Sequence, residues 1–479
     1  MTLVLNIAGA LVCVFLWVAM WRYAIIMFQQ NSYKPKRYLN WARGKVFRPL
    51  WQRDFKVRFV MTQRMVRLTV VGSAIFIALA ILSPWAAAAA VVCCDAVLLL
   101  ANLLVSPVEA AIRRWYVNDA ARMLRERPDL IIVGVTGSYG KTSTKNYLYR
   151  ILSEKYNVLV TPGNFNTTLG VVRTVREQLK PYHQVFIVEM GAKQVGDIKE
   201  ICDLVHPSVG IVTAVGDMHL ETFGCRENIQ KTKFELIGSL PAGGFGAVNM
   251  DSEGIATYAG IPTHCEVARF GIDAHRVDWR ASGIRYSASG TDFRLIGPGE
   301  PLDLHTSLLG ECNVLDITGA AVVALHLGVQ PRQVKLAVAK LQQVQHRLSV
   351  SVKGGLTVLD DAYNSNPEGA RMALSVMRDM PVPEGGRRIV ITPGFVEMGS
   401  KQQEAVRKLG AQAARCATDL VIVNKVNRDS IRAGALEAGM AEDRVVCVDT
   451  LAQAAAYLQQ IARPGDIVLY ENDLPDMFK

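Results

Sequence analysis

Leu130-Ile-Ile-Val-Gly-Val-Thr-Gly-Ser-Tyr-Gly-Lys-Thr-Ser-Thr144 runs from an apolar, strand-like segment through a glycine-rich turn into residues that open a helix. A strand feeding such a turn aims backbone N–H groups and a helix N-terminus at one point, which is how proteins hold phosphate. On this reading Thr136, Gly137, Ser138, Tyr139, Gly140, Lys141, Thr142 and Ser143 surround a nucleotide, with Lys141 over the outer phosphates and Thr142 towards Mg²⁺. The strict phosphate-loop pattern asks for glycine five residues before Gly140, where Val135 stands. The strand-to-helix context therefore carries the reading, against the alternative of an ordinary tight turn.

Working outward, a chain of 479 residues is long enough for about three domains with sizeable cores. Its nine cysteines include no Cys-x-x-Cys pair, so neither a zinc ribbon nor a disulfide framework is indicated. The net charge of +10 is local: Gln29 to Arg67 holds eleven Lys or Arg against the single acid Asp54. That placement argues against a nucleic-acid partner, because the basic stretch lies between apolar segments rather than along the remaining chain.

Leu3 to Trp21 carries no charge and is close to the ~20 residues of a spanning helix. Leu68 to Leu82 and Ala86 to Val105, separated by Ser83-Pro84-Trp85, read as a helical hairpin interrupted by Asp95, with a re-entrant or tilted pair as the alternative. The leader of the first helix lacks Lys and Arg, which favours an anchor over a removable signal. The positive-inside rule then places the basic loop 29–67 in the cytoplasm, ends the third crossing near Arg113-Arg114 and leaves the remainder cytoplasmic. A merely solvated charge run is the alternative for that loop. The expectation is a multi-pass membrane protein with cytoplasmic catalytic domains.

From Pro128 onward apolar runs alternate with helical patterns, the signature of an α/β fold around a mainly parallel sheet. Ligands in such folds gather at strand C-terminal ends. Val158-Leu-Val opens into Thr161-Pro-Gly-Asn-Phe-Asn-Thr-Thr168, Val185-Phe-Ile-Val ends in Glu189-Met-Gly191, and Ile211-Val-Thr-Ala-Val ends in Gly216-Asp-Met-His-Leu-Glu221. Asn164, Asn166, Thr167, Glu189 and His219 thereby approach the crevice of the phosphate loop. Taken singly, Glu189 reads as well as a strand-end surface acid, and His219 as a loop or core histidine. A helix ends near Leu327-Gly328, and a boundary follows around Gln345 to Ser349. Further strands are read at Leu356 to Asp361, Arg388 to Thr392, Leu420 to Val423, Val445 to Val448 and Asp466 to Tyr470, with Asn366 capping a helix that has Pro367 at its first position.

Several motifs in order carry a resemblance to the Mur ligase family, and within it to the branch that adds D-alanyl-D-alanine to a cell-wall precursor. They are Thr136 to Thr142, Gly163-Asn-Phe-Asn166, Glu189-Met-Gly-Ala192, His219-Leu-Glu-Thr-Phe-Gly224, Lys231-Thr-Lys-Phe-Glu235, Arg347-Leu348 and Asp360-Asp-Ala-Tyr-Asn-Ser-Asn-Pro367. The apolar segments mark a membrane-anchor region at 1–116, and the resemblance implies a central phosphate-loop ATPase domain at 117–347 and a Rossmann-like C-terminal domain at 348–479. It also implies ATP-dependent amide synthesis through an acyl phosphate, with a small amino acid or peptide as the amine. By the same resemblance Thr142 and Glu189 hold one Mg²⁺, and His219 with a carbamylated Lys233 helps to hold a second; read alone, Lys233 is a solvated helix lysine. Asn313 is implied at the adenine, and Arg347 and Asp361 at the nucleotide near the hinge. Tyr363, Asn364 and Asn366 are implied to line the crevice.

The sequence departs from the family where its UDP-sugar domain would stand, because apolar helices occupy that place. This favours a lipid-linked carboxylate acceptor, or equally tethering to a membrane-bound partner that supplies the substrate, over a soluble UDP precursor. Cys312 replaces the usual His before Asn313, and Thr392-Pro-Gly-Phe-Val-Glu-Met-Gly399 follows the family pattern loosely. Glu471-Asn-Asp473 stands in place of Lys-Gly-Ser, which suggests a more cationic amine or surface drift. Two other readings stay open: a ligase making a poly-glutamate-type polymer, and a degenerate ATP-driven module regulating a membrane complex.

Overall fold

The structure is a computed structural model that describes residues 2–43, 60–287, 290–343, 348–362 and 366–473. It contains two compact units, built mainly of Met1–Tyr116 and of Val117–Leu474.

In the first unit, among the described residues, three helices are long and apolar enough to cross a membrane: Gly9–Gln30, Gln63–Leu82 and Cys94–Arg125. The first helix continues past the expected end at Trp21 to Gln30, since Arg22 is a lone charge before the apolar run Tyr23 to Phe28. The expected second arm of the hairpin is two helices, Pro84–Val92 and Cys94–Arg125, broken at Cys93. The break puts Asp95 in a first turn, where an acid suits the helix dipole, and the buried Tyr38 hydroxyl donates to its Oδ1 at 2.5 Å. The last helix does not stop at Arg113-Arg114, because no Gly or Pro occurs between Pro107 and Pro128 to end it. Trp17 stacks on Phe76 with centroids 4.6 Å apart, and Gly72 leaves room for the Trp21 ring, which a Cβ would meet at 2.1 Å. Residues 44–59 of the basic loop lie outside the described residues.

The second unit holds two sheets. The first comprises β1 (Ile131–Thr136), β2 (Val158–Val160), β3 (Val185–Met190), β4 (Val209–Val212), β5 (Phe245–Asn249), β6 (Glu266–Gly271), β7 (Trp279–Ser287), β8 (Gly290–Ile296) and β9 (Leu302–Thr306). Their order is β2-β3-β1-β4-β5-β6-β7-β8-β9. The pairs up to β6–β7 are parallel, and β7, β8 and β9 form an antiparallel end to the expected parallel sheet. Along β8 burial alternates from Phe293 onward, the pattern of a sheet packed on one face. Strands β1 and β3, covered by helices on both faces, read instead as continuous apolar runs, and every residue of β3 is buried, Glu189 included.

The second sheet comprises β10 (Ser349–Lys353), β11 (Leu356–Asp361), β12 (Arg388–Thr392), β13 (Asp419–Val423), β14 (Val445–Val448) and β15 (Ile467–Glu471), in the order β10-β11-β15-β12-β13-β14. Only β10 runs antiparallel to its neighbour. Asp466, wholly buried, accepts Arg387 Nη2 at 2.7 Å and the N–H groups of Arg387 and Arg463 at 2.9 Å, which ties the start of β15 to β12.

Candidate active site

The turn after β1 is shaped by what two glycines omit. Gly137 and Gly140 have φ of 156° and 80°. A Cβ on the first would lie 2.0 Å from Thr213 Oγ1 and on the second 2.5 Å from Asp316 Oδ1. Both positions thus demand glycine for backbone conformation and for space. The loop is pinned to the segment after β4: Ser138 N–H donates to Ala214 O at 2.7 Å, and Gly216 N–H donates to Ser138 Oγ at 3.0 Å. Thr136 is buried and donates its hydroxyl to Met190 O at 2.9 Å, so it fastens β1 to β3 beneath the loop. The helix Lys141–Leu152 opens directly from Gly140, and Lys141 Nζ donates to Gly137 O at 2.7 Å and Ser138 O at 3.1 Å. A backbone cradle, a helix N-terminus and an ammonium on its rim fit a polyphosphate.

Glu189, at the C-terminal end of β3, gathers the next group. Its Oε1 accepts Thr142 Oγ1 at 3.3 Å and Asn166 Nδ2 at 3.1 Å, and its Oε2 faces Lys145 Nζ at 3.0 Å. Burial opposes the charge on Glu189, but Lys145 and Lys141 outweigh it and hold the carboxyl below its usual range. Lys145 also donates to Thr161 O at 3.0 Å and Gly163 O at 2.8 Å, and so ties the phosphate-loop helix to the loop after β2. Thr142 and Glu189 supply hard oxygen donors of the kind Mg²⁺ takes. In that same loop Thr167 caps the helix Thr168–Gln178 through Gly170 N–H, and Asn164 is exposed.

Lys233 lies inside the helix Arg226–Gly238 at 3% exposure. Burial first, and then the charge of Lys141, lower its pKa to about 7. Among the described residues no group of three His, Cys, Asp or Glu converges on a metal position, and no hydrogen bond or ion pair joins Lys233 to His219. His219 Nδ1 instead pairs with Glu397 Oε2 at 2.7 Å, across to the loop after β12.

A cavity of about 190 Å³ opens beside the loop, lined by Tyr139, Gly140, Ser143, Asn313, Asp361 and Asn366 among others. Asn313 accepts the Tyr147 hydroxyl at 2.6 Å and donates to Leu309 O at 2.8 Å. Asp361 Oδ1 accepts Leu348 N–H at 3.0 Å, and Asn366 caps the helix Pro367–Asp379 as expected. Cys312 lines the same cavity, its thiol pushed up to about 12 by burial and then by Asp316. Arg347, Tyr363 and Asn364 lie outside the described residues. Glu471 is wholly buried at the end of β15, so surface drift does not describe that position.

Sequence reasoning missed Lys145 and the partner of His219. Lys145 had a signal: Lys145, Leu148 and Leu152 share helical spacing, and that face is buried. Glu397 had none, since nothing local links residues 178 positions apart.

A mainly parallel sheet whose first strand feeds this loop, facing a second α/β lobe across that cavity, defines a phosphate-loop enzyme. Family models match in two places, the Mur ligase middle domain over residues 135–324 and the Mur ligase glutamate ligase domain over 346–470. The UDP-N-acetylmuramoyl-tripeptide–D-alanyl-D-alanine ligase of Mycobacterium bovis is 32% identical over 357 residues, 71% of this chain and 70% of that protein. The Escherichia coli ligase of the same name is 29% identical over 64% of this chain and 67% of its own. The solved structure of MurF ligase from Thermotoga maritima in complex with ADP superposes with a TM-score of 0.65 at 25% identity, covering 74% of this chain and 80% of that one. The chain belongs to the Mur ligase family of ATP-dependent amide-bond-forming ligases.

Proposed function

We propose that this protein is a membrane-anchored, MurF-like ligase of peptidoglycan synthesis that joins a carboxylate to the amine of a dipeptide such as D-alanyl-D-alanine. The convergence of Thr142, Lys145 and Asn166 on Glu189 beside the phosphate loop is the observation that carries this reading. The substrate class follows the names of the relatives. In the first step an oxygen of the substrate carboxylate bonds to the γ-phosphorus of ATP as the bond to the ADP oxygen breaks. The amine then attacks the acyl carbon, phosphate leaves and the amine gives up a proton. Lys141, the loop N–H groups and the helix N-terminus neutralise the anions that must meet.

Thr142 and Glu189 would hold Mg²⁺, which would screen the phosphoryl charge. The family resemblance assigns a second cation to His219 and Lys233; they would hold it only if Lys233 added CO₂ and lost a proton to become a carbamate and the two side chains came together, which they do not do among the described residues. A pKa near 7 supports the carbamate, because it leaves much of Lys233 as the free amine that reacts. Asn313, Ser143 and Asp361 contact the nucleoside, and Tyr139 closes its side of the pocket; a nucleotide contact for Arg347 is what the family resemblance implies. Asn164, Asn166, Thr167 and Asn366 border the acceptor crevice, to which the family resemblance also assigns Tyr363 and Asn364.

Helices 9–30, 63–82 and 94–125 anchor the chain as a multi-pass protein with its ligase lobes in the cytoplasm, and the domain limits 117–347 and 348–479 belong to this proposal. The exposed apolar side chains Leu11, Phe15, Val70, Ile77, Leu103 and Leu104 suit a lipid surround. The family models begin only at residue 135, and the segment before it is apolar or basic, a poor composition for reading a uridine. In this proposal the carboxylate acceptor is carried on a lipid, which the three apolar helices support by holding the site beside a membrane. Phosphate release by the full chain in detergent, with D-alanyl-D-alanine and either a lipid-linked or a UDP-linked muramoyl peptide, tests this. Turnover should favour the lipid-linked acid, whereas equal or better use of the UDP-linked one refutes that acceptor.

A further inference from the structure

Strands β6 and β7 form a fork. They pair only where Phe270 and Gly271 lie opposite Trp279 and Arg280. One residue earlier Asp278 closes the fork: its N–H donates to Arg269 O at 2.8 Å, and its Oδ2 accepts Arg269 N–H at 2.7 Å. From there back to Glu266, β6 has β5 on one side, with Glu266 N–H donating to Gly244 O at 3.2 Å. Among the described residues it has no strand on the other. Successive residues of a parallel strand turn their N–H and C=O groups to alternate sides. Val267 therefore faces the same way as Arg269, into the fork.

A cavity of about 830 Å³ opens along that free edge, within the range of ligand sites. The helix Glu311–His326 lines the nucleotide cavity with its first turn and this one with its last, so the two are separate. The floor is apolar, with Phe245, Ala268 and Val322 buried and Leu302 and Trp279 half-buried. Gly297 makes room for the Trp279 ring, which a Cβ would meet at 2.1 Å. The rim sets three carboxylates, Glu266, Asp278 and Glu300, against the single guanidinium of Arg269. His326 stacks on Phe245 with centroids 3.7 Å apart, and burial lowers its pKa, so it adds no positive charge near neutral pH.

An open strand edge over an apolar floor suits an added strand, whose main-chain bonds give affinity while pockets for alternate side chains give specificity. Carboxylates at the rim select basic side chains. We propose that the fork binds an extended segment of a partner protein, alternately apolar and basic, as a strand paired with β6 at Val267. Its apolar side chains lie on Trp279 and Leu302, and its basic ones meet Glu266 and Glu300.

Trp279 is the one tryptophan after Trp115. In the full chain labelled with 5-fluorotryptophan and held in detergent, it gives a single ¹⁹F signal, assigned with Trp279→Phe. The probe is a capped pentapeptide, Val-Lys-Val-Lys-Val. It should move that signal saturably below ~1 mM, the range of a weak specific contact, whereas the same peptide with Glu for Lys should not. Methylating either the valine or the lysine amides should weaken one peptide about 2- to 10-fold per bond lost and spare the other, since only alternate residues face β6. Glu266→Gln with Glu300→Gln should weaken the basic peptide and flatten its salt dependence, with phosphate release unchanged. No shift with the basic peptide overturns the proposal, as does equal binding of the Glu peptide. If both methylated peptides bind like the parent, no strand is added and the proposal fails. If n-butylammonium moves the signal as far as the peptide does, the cavity takes a small organic cation instead.

Discussion

Lys145 Nζ lies 3.0 Å from Glu189 Oε2, and both side chains are 2% exposed. Neither charge has water to lean on, so each is tolerable only because of the other and of the hydrogen bonds around them. Thr161 O and Gly163 O take further bonds from the ammonium; Thr142 and Asn166 donate to the carboxylate. The pair therefore fixes the carboxylate where a metal is expected, and it fastens the loop after β2 to the phosphate-loop helix.

Removing one partner strands the other charge in a dry site. Lys145→Met should destabilise the ligase unit by ~3–5 kcal/mol and suppress turnover. The double variant Lys145→Met with Glu189→Gln should recover much of that stability in urea unfolding, yet stay inactive. A double variant as unstable as the single one would mean that the pair does not carry the effect.

The phosphate loop was legible because its requirements are local: two positions that admit only glycine, and a helix opening on Lys141 and Thr142. Strands β3 and β11 to β15 were legible for a similar reason, as apolar runs ending in polar residues. The antiparallel strands β7 to β9 were not, because their half-buried alternation is short and interrupted by Gly283 and Gly290. Lys145 was hidden by its own chemistry, since a helix lysine ordinarily reaches solvent. The helix Cys94–Arg125 runs on past Arg113 and Arg114 because two charges do not end a helix and no Gly or Pro follows them before Pro128.

Lys233 is held near neutrality by burial and by Lys141, with its pKa at about 7. If carbamylation makes it a ligand, Lys233→Ala should lose turnover, and short carboxylic acids filling the vacated space should restore part of it. Stripping CO₂ from wild type should lower activity reversibly. Full activity in the alanine variant would return Lys233 to a structural role.

Asp466 secures the C-terminal sheet. Burial works against its charge, but Arg387 and the N–H groups of Arg463 and Arg387 outweigh it and depress its pKa. A carboxylate whose folded pKa lies below the unfolded value stabilises above ~3.9 and loses that contribution as pH falls through the folded value. Asp466→Asn should therefore cost a few kcal/mol near neutral pH, about 3 by analogy with other broken buried pairs. The gap between variant and wild type in urea unfolding should shrink below pH 4. A gap independent of pH would show that shape, not charge, matters there.

The proposed anchoring by three apolar helices requires an odd number of crossings. Reporters fused after Lys479 and within residues 44–59 should both read cytoplasm, and one before Met1 should read the opposite side. Cytoplasmic signals from both termini would require an even number and break this arrangement.

The account turns on a substrate carboxylate attacking ATP. With the carboxylate labelled with ¹⁸O and the amine present, the released phosphate should carry one ¹⁸O atom from the acid, and Lys141→Ala should reduce its formation about a hundredfold or more. Amide product accompanied by unlabelled phosphate would contradict activation of the acid as an acyl phosphate.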